Sequence, residues 1–129
     1  MQIKLTSIYV DDQDKALRFY TDVLGFVKKG DVTNGPYRWL TVVSPEDPDG
    51  VELQLALNDD PAAKTYQQAL YEQGQPAAMF HTSDLQSVYD RLVEQGVNFT
   101  TPFMSESWGS MAVLDDTCGN LIQLTQPAW

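Results

Sequence analysis

The sequence has few residues that could form a disulfide or bind a metal. Its 129 residues include one cysteine, Cys118, and one histidine, His81, so an intrachain disulfide is excluded. Cys118 follows Asp115 and Asp116, whose carboxylates disfavour a thiolate, and we expect a structural cysteine in a turn. No stretch approaches the roughly 20 apolar residues that span a bilayer, and no signal-peptide pattern is present. We therefore expect a cytoplasmic protein with no membrane partner.

Positive charge is also scarce. Eight Lys and Arg residues stand against 18 Asp and Glu residues, which gives a formal net charge of −10. Such a field repels the phosphates of nucleic acids and anionic membrane surfaces, so neither is an expected partner. Hydrophobic residues make up 43% of the chain and aromatic residues 11%, values that are typical of a globular protein. A chain of this size buries enough surface to fold without a disulfide or a structural metal.

Hydrophobic periodicity and turn residues predict a sequence of alternating strands and helices. A strand over 3–10 precedes a helix over about 12–24, which begins in an acidic cluster and ends at Gly25. Three strands follow, over 26–32, 37–44 and 51–57, and a linker helix is predicted over 60–74. The second half has a strand over 76–82, a helix from Asp84 to Gly96, and short strands near 98–101, 111–114 and 120–125.

The two halves repeat the same pattern. Asp12 through Gly25 and Asp84 through Gly96 are each a helix with its stop signal. Residues 47–55 align with residues 116–124, with the same spacing of Asp, Gly and Gln. We predict an α+β fold of two tandem βαβββ modules, 1–57 and 76–127, joined by the linker helix in one domain spanning 1–129. The modules are expected to form a curved mixed sheet, an open half-barrel with helices on its convex side and a ligand cavity on its concave side.

Two motifs resemble those of a known superfamily. Residues 16–26, ALRFYTDVLGF, and residues 116–124, DTCGNLIQL, are similar to the helix and the closing strand of the vicinal oxygen chelate superfamily. It includes glyoxalases, extradiol dioxygenases and bleomycin-resistance proteins, and the likeness covers nearly the whole chain. The resemblance implies the half-barrel fold, a small organic ligand and a homodimer.

The same resemblance implies where a divalent metal would bind. Enzymes of the family hold one metal through four side chains on the first and last strands of each half, and these positions correspond to Leu5, Gln54, Ala77 and Gln123. Leu5 and Ala77 have no donor atom, and the two glutamines offer neutral amide oxygens, whereas divalent metals in proteins prefer imidazole, carboxylate or thiolate. We therefore expect no metal and no other cofactor.

Strand alternation then predicts the side chains that line the cavity. The candidate ligand-binding residues are Ser7, Tyr9, Gln54, Met79, His81, Met104, Trp108 and Gln123. Tyr9 and His81 could equally be hydrogen-bonded wall residues, and Gln54 and Gln123 could bond each other. Glu52 is expected to face away from the cavity, although a slip of one residue would bring it in as a partner for His81 in acid–base chemistry.

Three functions are compatible with these residues. The first is a metal-independent small-molecule-binding protein like the bleomycin-resistance branch. The alternative is a lyase, isomerase or dioxygenase with an atypical metal site or with His81 as a base. The third is an interaction module that docks through residues 102–109, a predicted loop in which Met104 and Trp108 could form either a lid over the ligand or an interface.

Overall fold

The computed structural model describes residues 1–129, which form two compact units, 1–64 and 65–129. The first unit contains β1 (Leu5–Val10), α1 (Gln13–Arg18) with a π-helical extension (Phe19–Val23), β2 (Val27–Asn34), β3 (Tyr37–Val43) and β4 (Glu52–Leu57). Helix α2 (Pro61–Glu72) begins in the first unit and ends in the second. The second unit continues with β5 (Ala78–His81), α3 (Leu85–Glu94), β6 (Phe99–Glu106), β7 (Gly109–Asp115) and β8 (Leu121–Pro127).

Each unit contains one four-stranded sheet, and the two sheets have the same topology. The strand orders are β1-β4-β3-β2 and β5-β8-β7-β6. The first strand of each unit pairs in parallel with the last, and the other pairs are antiparallel. The predicted α+β fold of two βαβββ repeats is therefore confirmed, and both sheets are open. None of the helices is long and apolar enough to cross a lipid bilayer.

The helices begin where the sequence places their caps. The side chain of Asp12 accepts a hydrogen bond from Lys15 N at 3.0 Å, and the side chain of Asp84 accepts one from Ser87 N at 3.2 Å. The bond from Lys15 is the main reason why the pKa of Asp12 lies below its usual value. The same kind of N-cap therefore begins the helix at the equivalent position of each half.

The helix predicted over 12–24 is not uniform. After Arg18 the chain widens into a π-helical turn, in which Leu24 N donates to Phe19 O at 3.0 Å. Gly25 then takes a positive φ of 89°, which suits a residue without a Cβ and ends the helix. Apolar periodicity does not separate an α-helix from one widened turn, so the sequence predicted only the outer limits.

One face of each sheet forms the core with its helix. In the first unit, Ile8, Leu53 and Leu55 are buried and alternate with more exposed residues, and Leu40 on β3 is buried as well. Gln13 of α1 connects the helix to β4 by donating to Leu55 O at 2.9 Å. In the second unit the buried set is Leu85, Leu92, Ala112, Leu114, Ile122 and Leu124. The opposite face of each sheet, which we call the helix-free face, is where the candidate residues lie.

Candidate functional site

The helix-free face of the first unit is built by β1, β3 and β4. In the parallel pair, Leu5 lies opposite Glu52 and Ser7 lies opposite Gln54. In the antiparallel pair, Thr41 lies opposite Gln54. Since side chains alternate along a strand, Leu5, Ser7 and Tyr9 point to the same side as Gln54. Leu5 and Tyr9 remain 40% and 39% exposed, so the face is open to solvent along β1.

A hydrogen-bonded relay crosses this face. Ser7 Oγ donates to Gln54 Oε1 at 2.8 Å, and Gln54 Nε2 donates to the hydroxyl oxygen of Tyr37 at 3.0 Å. Gln54 therefore has its partners on β1 and β3 of its own unit. Because Tyr37 accepts this bond and is 53% exposed, its own O–H is available to donate to a ligand.

Glu52 lies on the helix-free face, and the expectation that it faces away was wrong. Glu52 and Gln54 are two residues apart on β4, so they share a face, and the alternation of half-buried and buried residues along β4 agrees. Thr41 Oγ1 donates to Glu52 Oε1 at 2.6 Å, and Gly30 N donates to Thr41 Oγ1 at 3.0 Å. The carboxylate is thus held in place by a buried hydroxyl.

The helix-free face of the second unit is richer in methionine. Met79 lies opposite Gln123, and His81 lies opposite Thr125. Met111 lies opposite both Thr125 and Met104, which puts the three methionines of this unit on that face. Gln123 is half-buried and donates from Nε2 to Thr125 Oγ1 at 3.1 Å. Flexible thioether side chains make this surface adaptable to ligands of different shape.

His81 ends β5 and is exposed. With Gln126 and Trp129 it borders an open depression of about 430 Å³. No carboxylate of the second unit hydrogen-bonds its imidazole, so no neighbouring group fixes the tautomer as a general base requires. A larger depression of about 690 Å³ is lined only by residues 84–94 along α3. None of the candidate residues lines it.

The segment over 102–109 is not a loop, and that prediction was wrong. Strand β6 continues to Glu106 and β7 begins at Gly109, so Met104 lies within a hairpin and Trp108 lies in its turn. Trp108 O accepts a hydrogen bond from Ala128 N at 2.9 Å. Pro102 and the polar residues around the turn obscured the strand pattern in the sequence. Met104 and Trp108 are 38% and 39% exposed.

The donor set at the family's metal positions does not fit a divalent metal. Leu5 and Ala77 offer hydrocarbon only. The amides of Gln54 and Gln123 are hydrogen-bonded to neighbouring side chains. Elsewhere in the chain, no group of three or more His, Cys, Asp or Glu side chains is placed to hold a metal ion. The chemistry that these positions support is hydrogen bonding and apolar contact with an organic molecule.

Cys118 is fully buried, as a structural turn residue should be. Its backbone N–H donates to Asp116 Oδ1 at 2.7 Å, and its carbonyl accepts from Gln67 Nε2 at 3.1 Å. The thiol is therefore inaccessible as a nucleophile in the folded chain.

Sequence reasoning did not assign these residues to the helix-free faces: Tyr37, Trp39, Thr41, Glu52 and Met111. The alternation of Tyr37, Trp39 and Thr41 along β3 was visible. The register that puts these side chains beside Gln54 could not be predicted, because the turn that joins β3 and β4 does not specify it.

The family model described as Glyoxalase/Bleomycin resistance protein/Dioxygenase superfamily matches residues 2–124. The chain is 55% identical over 126 residues to the uncharacterized protein YurT of Bacillus subtilis (strain 168), covering 98% of this chain and 99% of YurT.

Two solved structures are similar over nearly their whole length. UcmS2 has a TM-score of 0.84 and 30% identity, with 97% of each chain covered. TnmS3, an antibiotic binding protein from Streptomyces sp. CB03234, has a TM-score of 0.75 and 29% identity, with 99% of this chain and 97% of TnmS3 covered.

Proposed function

Because this chain belongs to the glyoxalase/bleomycin resistance protein/dioxygenase superfamily, we propose that it is a small-molecule-binding protein that holds its ligand without a metal. The observation that carries the proposal is the set of residues at the family's metal positions. Two of them, Leu5 and Ala77, are hydrocarbon, and the amides of Gln54 and Gln123 are engaged in hydrogen bonds. Side chains of this kind can bind and orient an organic molecule, but they do not compensate the charge of a divalent ion.

The proposed binding surfaces are the helix-free sheet faces. On the first unit, Leu5, Tyr9 and Tyr37 offer exposed apolar and aromatic area around the polar relay through Gln54. On the second unit, Met79 lies opposite Gln123, and both Met79 and Met104 are exposed. A few hydrogen-bonding groups within an apolar surface are typical of sites for drug-sized organic ligands. The antibiotic-binding description of TnmS3 supports a ligand of that kind.

We also propose that the chain acts as a cytoplasmic homodimer. The dimer follows from the family resemblance, and the exposed Met104 and Trp108 of the β6–β7 hairpin are suitable contact residues. Sedimentation velocity on wild type and on Trp108→Ser would test it. A dimer in the wild type with weaker association in the variant is expected, whereas a wild-type monomer at all concentrations would refute it.

The experiment that tests the function is a ligand screen on metal-free protein. Protein dialysed against a chelator is screened by thermal shift with aromatic and amphipathic compounds, including antibiotics. At a ligand concentration of about one hundred times Kd, binding adds about 2.7 kcal/mol to the free energy of unfolding. For a chain of this size, that corresponds to a rise in Tm of several degrees. Binding that appears only after a divalent metal is added would refute the proposal.

Matched glutamine variants localise the binding. Gln54→Leu removes the relay but preserves most of the side-chain volume, and we expect about a tenfold loss of affinity for a ligand that hydrogen-bonds the relay. Gln73→Leu makes the same chemical change at an exposed position after α2 and should bind normally. Equal affinity of both variants for every ligand found would place the site away from the first helix-free face.

A further inference from the structure

We infer that the helix-free face of the first unit selects cationic aromatic molecules, with the carboxylate of Glu52 as their counter-ion; this inference rests on the proposed function and specifies the ligand class. It starts from the charge of Glu52. The side chain is half-buried, and it belongs to none of the chain's ion pairs. A partly desolvated carboxylate without a counter-ion is unfavourable, and a ligand cation would relieve that cost.

The carboxylate is held so that one oxygen is left for a ligand. Thr41, which is fully buried, donates its hydroxyl proton to Glu52 Oε1 at 2.6 Å. The same hydroxyl accepts from Gly30 N at 3.0 Å, so its role as the donor to Glu52 is fixed. The structure gives Glu52 Oε2 no partner. A carboxylate whose first oxygen is anchored offers its second oxygen at little cost in conformational entropy.

An aromatic ring lies near the hydroxyl that anchors the carboxylate. Trp39 lies two residues before Thr41 on β3 and points to the same face. A Cβ on Gly30 would lie 3.2 Å from Trp39 Nε1 and 3.1 Å from Thr41 Oγ1, so the indole and the hydroxyl that anchors Glu52 border one small space. Glycine at position 30 allows the indole and the hydroxyl to pack this closely against β2. The aromatic part of a ligand whose ammonium group pairs with Glu52 would extend toward this indole, whose ring electrons attract cationic groups.

The wider surroundings favour the same ligand charge. The chain has a net charge of −10, and the residues of this face on β1 and β4 carry no positive charge: Leu5, Ser7, Tyr9, Gln54 and Ala56. An anionic ligand would be repelled by Glu52, and no positive charge among these residues of β1 and β4 would offset that repulsion. A protonated amine would instead form a charge-assisted hydrogen bond with Glu52. The aromatic part of the ligand would lie against Trp39 or Tyr37.

The test uses two indoles of nearly the same size. Tryptamine carries a protonated amine at neutral pH, and tryptophol has a hydroxyl group in its place. Titration calorimetry on wild-type protein should give tryptamine about a tenfold advantage in Kd. The advantage should shrink as salt is raised, because the attraction is electrostatic. In Glu52→Gln, which can still accept from Thr41, tryptamine should lose the advantage while tryptophol binds as before.

Glu94→Gln is the control, because it removes the same charge from an exposed position on α3 and should leave the tryptamine preference intact. Equal binding of the two indoles to wild type would overturn the inference and leave the proposed function standing. A preference that survives in Glu52→Gln, with an unchanged Tm, would also overturn it. If neither indole binds, the inference is refuted, and the broader ligand screen decides the proposed function separately.

Discussion

Asp116 anchors the turn that leads into β8, and its removal should be among the costliest single changes in the second unit. The residue is fully buried. Its carboxylate accepts from Cys118 N at 2.7 Å, from Asn120 N at 3.0 Å and from Asn120 Nδ2 at 2.9 Å. In Asp116→Ala these three donors lose their acceptor at a site that is closed to solvent. Thr117 has a left-handed backbone conformation, with φ of 64°, and the hydrogen bonds to Asp116 help to stabilise that conformation.

The magnitude follows from the number of orphaned donors. A buried donor without a partner costs about 1–3 kcal/mol, and relaxation of the turn recovers part of the total. We expect Asp116→Ala to lower the free energy of unfolding by about 3–5 kcal/mol, a large fraction of the 5–15 kcal/mol that is typical of a domain. Urea titration followed by far-UV circular dichroism measures this difference from the midpoint and slope.

The repeat supplies a matched control. Asp47 occupies the aligned position in the first half and is exposed. Asp47→Ala should therefore change the free energy of unfolding by no more than about 0.5 kcal/mol. If Asp116→Ala costs less than about 1 kcal/mol, or no more than Asp47→Ala, the buried carboxylate does not hold the turn, and the interpretation of the closing motif is wrong.

Two further predictions concern α2 and the turns around it. Gly119→Ala should lower the free energy of unfolding by about 2–3 kcal/mol, since φ is +100° and the new Cβ would lie 2.7 Å from Gln67 Nε2. Gly25→Ala, whose Cβ would have nothing within 4 Å, should lower it by only about 1 kcal/mol in the same urea titrations. Equal losses in the two variants would contradict the close approach of α2 to Gly119. The hydroxyl of Tyr71 donates to Asp115 Oδ2 at 2.5 Å, and this bond raises the pKa of Tyr71 above its usual value. Tyr71→Phe should thus lower stability slightly, by less than about 1 kcal/mol, near neutral pH. That difference should vanish as pH rises through the raised pKa of Tyr71, because the stability that comes from a raised pKa is lost when the group deprotonates. A difference that stays constant across the titration of Tyr71 would refute this role.

The fold was largely predictable because its signals are local and occur twice. Both halves have a helix that begins at an acidic cap, Asp12 or Asp84, and ends at a glycine, Gly25 or Gly96. The similarity of residues 47–55 to residues 116–124 predicted matching last strands. The π-helical turn after Arg18 was not predictable, because it leaves the apolar pattern of the helix intact.

The site was less predictable than the fold. Side-chain alternation correctly put Ser7 and Gln54 on one face, but the same alternation was misapplied to Glu52, which shares the parity of Gln54. Tyr37 joins the site through the pairing of β3 with β4 across the eight-residue connection 44–51, and the local sequence does not specify that register. The hairpin around Trp108 was missed because Pro, Ser and Gly dominate its composition, as they do in loops.

The central claim is that an organic ligand binds against Gln54 and the aromatic residues of the helix-free face with no metal in between. A crystal structure of chelator-treated protein with a ligand from the screen tests it most directly. We predict ligand density in contact with Gln54 and Tyr37 and no ion at Gln54 or Gln123. A divalent ion bound by either glutamine, or a ligand bound away from both sheet faces, would contradict the account.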